Sequence, residues 1–220
     1  MRHLKALESA DLSETITSVL SRAPVIPVLT LERLEDAAPL AEALVRGGLP
    51  VLEVTLRTAC AIDAIAAMRA ALPDALIGAG TVTSAAQFAQ CRAVGAHFAV
   101  TPGLTQEILQ AARDSRLPLL PGIMTPSELI SARAAGFRAC KLFPAQQAGG
   151  IGMLKALAGP FPDHFFCPTG GITAANAREF LALPNVPCVG GSWLAPADAM
   201  RSRDWTFIEN LARDAAALGL

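Results

Sequence analysis

The chain has 220 residues, 52% hydrophobic and 17% charged, with a formal net charge of −1. That length can bury one sizeable core without staples, and so apolar a composition excludes intrinsic disorder. Eighteen basic residues nearly cancel nineteen acidic ones, no run of like charge occurs, and no stretch of about 18 consecutive apolar residues exists. Nucleic acid and membrane are therefore not the expected partners.

In chain order, the first 24 residues are polar at short intervals and show no signal-peptide apolar region. Leu12, Ile16, Val19 and Leu20 recur at helical spacing, which predicts a helix within residues 1–23 that flanks or plugs the domain. Short apolar runs then begin near Val25, Val51, Leu76, His97, Leu117, Ala139, Phe165 and Cys188. Helical periodicity fills the intervals: Leu34 to Val45 with Pro39 near the start, then Ile62, Ile65 and Met68, then Phe88 and Cys91. Ser84 with Gln87 and Thr125-Pro126 with Glu128 read as capping boxes, and Gly47, Gly95 and Gly136 as helix stops. Apolar strands separated by single helices call for a parallel sheet covered on both faces. Eight such units predict a (β/α)8 TIM barrel with an additional N-terminal helix, one domain over residues 1–220.

The five cysteines, Cys60, Cys91, Cys140, Cys167 and Cys188, are odd in number and widely spaced, as expected of reduced, buried thiols in a cytoplasmic protein. With three histidines and no ligand spacing, no metal site is expected.

An internal echo sets the register. Gly48, Gly95 and Gly136 each stand five residues before Glu53, Val100 and Lys141. Equivalent starts for these three strands would bring Glu53 and Lys141 together inside the barrel near its C-terminal mouth. Lysine is scarce in this chain (Lys5, Lys141 and Lys155), yet Lys141 lies in an apolar strand. A desolvated amine is pushed toward its neutral form, which attacks a ketone to give a Schiff base. Glu53 beside it is a candidate proton carrier, and Arg57 past the strand end a candidate carboxylate clamp. A structural Glu53–Lys141 ion pair and a surface arginine are the competing roles. Thr169-Gly170-Gly171 and Gly190-Gly191-Ser192 follow the seventh and eighth runs, where this fold binds phosphate. Thr81 is a plausible hydroxyl donor after the third run, or a helix-start residue; Trp193 and Trp205 are expected to pack.

The segments GLPVLEVTLRT (48–58), GFRACKLFPA (136–145) and CPTGGI (167–172) resemble the 2-keto-3-deoxy-6-phosphogluconate aldolase family, which includes 4-hydroxy-2-oxoglutarate aldolases. GAGTV (78–82), TPGLT (101–105), PGI (121–123) and GGSWLAPADA (190–199) extend the resemblance over nearly the whole barrel. It implies a class I aldolase without metal or cofactor, with Lys141 as the Schiff-base lysine and Glu53 as general acid/base. It further implies Arg57, Thr81 and Thr169 near the pyruvyl carboxylate and imine, and Pro102 and Phe143 shaping the pocket. Gly170, Gly171, Gly190, Gly191 and Ser192 would receive the phosphate of a small keto-acid substrate, in what is typically a homotrimer. Departures are Cys140 before the lysine, Gln146-Gln147 after Pro144-Ala145, and an N-terminal helix extended at its start. Substrate alternatives are 4-hydroxy-2-oxoglutarate and the galactonate epimer of the phosphosugar acid; Arg57 and Thr169 favour the gluconate branch. Readings of other classes are a phosphosugar isomerase, which would use the phosphate loops and Glu53 without an imine, and a non-catalytic phosphometabolite-binding barrel, which leaves Lys141 in a strand unexplained.

Overall fold

The computed structural model describes residues 16–219. Among the described residues, nine short parallel strands are interspersed with helices: β1 (Val25–Leu29), α1 (Ala37–Arg46), β2 (Val51–Thr55), α2 (Ala61–Ala71), β3 (Leu76–Gly80), α3 (Ala85–Ala93), β4 (Ala99–Val100), α4 (Gln106–Ser115), β5 (Leu119–Leu120) and β6 (Gly122–Ile123). Then follow α5 (Pro126–Ala134), β7 (Ala139–Leu142), α6 (Gly150–Ala158), β8 (Phe165–Pro168), α7 (Ala177–Leu181), β9 (Val189–Gly191), α8 (Ala197–Ser202) and α9 (Trp205–Ala216). Six strands form a curled parallel sheet in the order β5-β4-β3-β2-β1-β9, and three form a second sheet, β6-β7-β8.

All eight apolar runs contain strand, but the fifth is broken in two. Pro121 separates β5 from β6, and proline has no N–H to give to a ladder. Its carbonyl still accepts the Lys141 N–H at 2.9 Å. Across the other seam, β8 and β9 meet through one bridge, Thr169 to Gly190.

Period-two alternation decides which side chains meet. In β2 all five residues are buried. Leu52 and Val54 join the large core beneath the helices, whereas Val51 joins Ile26, Phe98, Val100, Leu120, Ala139, Cys167 and Cys188 in a second core on the inner face. Ile16, Val19 and Leu20, in a helical turn at 16–20, pack into that inner core. The remainder of the helix expected over residues 1–23 lies outside the described residues.

Gly48, Gly95 and Gly136 explain the register echo. All three take positive φ (+97°, +74° and +95°), and each helix closes with the same pair of hydrogen bonds. Leu49, Ala96 and Phe137 donate back to Leu44, Cys91 and Ala132, the Schellman pattern. The left-handed stop is thus Gly48, while Gly47 keeps helical φ. Gly47 serves packing instead, because Ala212 and the Glu209 carbonyl of α9 occupy the space of any side chain there. Thr125 and Glu128 form a full capping box. At α3 only half of the expected box exists: Ser84 accepts from Gln87 N–H, but Gln87 reaches back to Thr83 rather than to Ser84. All five cysteines are free, four of them buried.

Candidate active site

Two residues beyond Val51 and Ala139, at the next inward positions of their strands, stand Glu53 and Lys141. Their side chains meet: Nζ lies 3.2 Å from Oε1, with only 7% and 4% of the two side chains exposed. The contact spans two separate sheets, since β2 pairs with β1 and β3 while β7 pairs with β6 and β8. Space for it comes from glycine. A side chain at Gly80 would occupy the position of the Glu53 carboxylate, and Gly122, level with Lys141, leaves room for the Thr101–Pro102 backbone. Gly122 N–H donates to the buried Thr101 hydroxyl at 3.2 Å.

The other predicted residues surround this pair. Phe143, two residues past the lysine, places its ring centroid 5.3 Å from Nζ, within cation–π range of an ammonium. Thr169 is buried, its N–H donates to the Leu142 carbonyl of β7 at 3.0 Å, and its side chain fills the space above Gly190. Arg57 is exposed just past β2 and donates Nε–H to the Thr81 hydroxyl at 3.3 Å. Thr81 sits at φ +58°, a left-handed conformation that is a genuine outlier for a β-branched residue and concentrates at functional sites. Pro102 is exposed at the rim.

Gly170 and Gly171 form a turn with φ +97° and +77°. Pro144 packs against the first and the Gln146 stem against the second. Gly191 lies directly under the Trp193 ring, and Ser192 is exposed. The segment carrying Lys141 and the Thr169–Gly171 turn are therefore interlocked, and Thr169 joins that turn to Gly190. Among the described residues, no three His, Cys, Asp or Glu side chains gather as a metal site, and no helix is long and apolar enough to cross a membrane.

In the sequence, Gly78-Ala79-Gly80 stands within GAGTV (78–82), a segment that carries the resemblance, and no site role attaches to its two glycines. Glycine inside a strand is a mark of close approach, and here Phe98 and Glu53 fill the two spaces. Asn176, which donates to the Gly171 carbonyl at 3.0 Å, was missed as well. Its only signal was the spacing Thr173-x-x-Asn176.

This arrangement supplies an amine for imine formation, a carboxylate within reach of its proton, and an arginine–hydroxyl pair at the rim. Residues 16–211 match the family described as KDPG and KHG aldolase. The 2-dehydro-3-deoxy-phosphogluconate aldolase of Dickeya dadantii is 52% identical over 199 residues, covering 90% of this chain and 93% of that protein. The KHG/KDPG aldolase of Escherichia coli is likewise 52% identical, over 198 residues, with the same coverage. Among solved structures, the KDPG aldolase of Legionella pneumophila, with pyruvate captured at low pH as a covalent carbinolamine intermediate, superposes with a TM-score of 0.88. It is 50% identical and covers 90% of this chain and 96% of that one. The chain belongs to the KDPG and KHG aldolase family.

Proposed function

We propose that this protein is a class I aldolase that cleaves 2-dehydro-3-deoxy-6-phosphogluconate to pyruvate and D-glyceraldehyde 3-phosphate. The observation that carries the reading is the buried contact between Lys141 Nζ and Glu53 Oε1, 3.2 Å apart. Burying two charges is costly and rarely retained for stability alone.

Lys141, after passing a proton to Glu53, attacks the C2 ketone to form a carbinolamine; Glu53 returns that proton to the departing hydroxyl, so water leaves, an iminium remains and the carboxylate is free to act as base. That cation is the electron sink when the C3–C4 bond breaks, so the chemistry calls for neither metal nor cofactor. Glu53 takes the C4 hydroxyl proton as glyceraldehyde 3-phosphate departs. The same proton then goes to C3 of the enamine, and hydrolysis of the imine releases pyruvate. Arg57, Thr81 and Thr169 hold the pyruvyl carboxylate and imine, while Pro102 and Phe143 wall the pocket. Gly170, Gly171, Gly190, Gly191 and Ser192 take the phosphate through backbone N–H and hydroxyl donors. The two sheets are the parts of one closed (β/α)8 TIM barrel. Pro121 interrupts its fifth stave, and the Thr169–Gly190 bridge lies at its last seam. A cytoplasmic homotrimer belongs to the same proposal.

The relatives named for both substrates make 4-hydroxy-2-oxoglutarate a second substrate to assay. The deciding experiment is borohydride reduction with pyruvate, followed by peptide mass spectrometry. A pyruvyl adduct on Lys141 is expected, and its absence overturns the mechanism. Glu53→Gln should retain the adduct while turnover falls by about 10²- to 10⁴-fold, the usual worth of general acid–base help.

A further inference from the structure

The Gly170–Gly171 turn is gripped by its carbonyls alone. Gln146 N–H donates to Gly170 O at 3.2 Å, and Asn176 Nδ2 donates to Gly171 O at 3.0 Å. Asn176 is itself anchored at its other end, where Oδ1 accepts the Thr173 N–H at 2.8 Å. The N–H groups of Gly170 and Gly171, by contrast, donate to no group among the described residues. Both carbonyls are thereby committed and both donors left unspent. Successive free N–H groups in a turn make an anion-binding concavity. A carbonyl rotating into that concavity would repel an anion, and two successive positive-φ glycines have little of their own to prevent it.

We propose that Asn176 is a positioning residue. By holding the Gly171 carbonyl, it sets the affinity of the turn for the substrate phosphate, and with it the preference for a phosphorylated over an unphosphorylated hydroxy-keto acid. The proposal rests on the aldolase reading and deepens it. Gln146 does the matching work on Gly170 through its backbone, so a side-chain change isolates the Asn176 half of the grip.

The test is steady-state kinetics of Asn176→Asp, which keeps the size and the acceptor for Thr173 N–H but replaces the donor to Gly171 O with a carboxylate oxygen. Asn176→Ala, which loses the donor without adding charge, is measured beside it. For both variants KM for the phosphosugar acid should rise about tenfold or more, the loss of one well-placed hydrogen-bonded contact, with kcat within about threefold. Competitive inhibition by inorganic phosphate should weaken in parallel, while KM for 4-hydroxy-2-oxoglutarate stays within about twofold. Equal losses on both substrates, or an unchanged KM for the phosphosugar acid, overturn the proposal. Failure of the aldolase reading shows separately, as a wild-type enzyme that forms no pyruvyl adduct and cleaves neither substrate.

Discussion

Gly80 has no side chain because the Glu53 carboxylate occupies the place where one would stand. Its φ is not in the left-handed region, so the requirement is space rather than backbone freedom. One methyl group there must push Glu53 away from Lys141 or force β3 outward from β2. The geometry of a proton carrier tolerates little of this, since displacement by about 1 Å costs on the order of 10²-fold in rate. Gly80→Ala should therefore lower kcat/KM for phosphosugar cleavage by about that factor, with the pyruvyl adduct on Lys141 still formed. Activity within threefold of wild type would mean that the carboxylate has freedom the packed geometry denies it. The lysine and the glutamate were legible in the sequence because polar residues stood out in apolar strands. The glycine was not, because the side chain it makes room for comes from another strand.

At the level of elements, helix boundaries were readable wherever the deciding chemistry is local. The three glycine stops, and the box at Thr125 and Glu128, depend on residues within about one turn of each other. Glu128 shows how complete that box is. Burial pushes its carboxyl up, but N–H donors from Met124 and Thr125, with the Thr125 hydroxyl, outweigh it and hold the pKa below the usual range. Removing the cap oxygen with Thr125→Ala should cost about 1 kcal/mol of unfolding free energy, measured by urea denaturation at neutral pH. A change below a few tenths would show that Glu128 caps α5 unaided. Other features hinged on distant partners and were not legible. The space at Gly80 is filled by Glu53 from β2, and that at Gly122 by the Thr101–Pro102 backbone. Arg203 offers the same lesson. It reaches the nearly buried Asp36 at 2.9 Å, and Arg33 holds the other oxygen of that carboxylate at 2.8 Å. This clamp ties the segment after β1 to the end of α8, and no local pattern announced it.

Over the whole molecule, polarity is distributed along the inner face. Apolar side chains and two thiols fill it around Val51 and Ala139, and charge enters only two residues further along, at Glu53 and Lys141. One buried polar group stands apart from this order. His164, just before β8, is fully buried, its ring tilted against Phe166, and neither nitrogen has a hydrogen-bond partner among the described residues. Burial, helped by the Arg133 guanidinium, pulls its pKa down to about 4 against a small opposing pull from Asp163. The sign follows from where the proton goes. Well above pH 6.5 the imidazole is neutral in both folded and unfolded chains, and stability is unaffected. As pH falls from about 6.5 toward 4, the unfolded chain takes up a proton that the folded chain refuses, so stability drains by up to about 3 kcal/mol. His97 acts in the same direction, lowered by burial and by Arg69. Replacing His164 with leucine removes its share alone. The difference in unfolding free energy between His164→Leu and wild type should widen in favour of the variant by about 1–3 kcal/mol between pH 7 and pH 4.5. Parallel stability curves over that range would mean that the imidazole takes up its proton in the folded protein, against the burial that surrounds it.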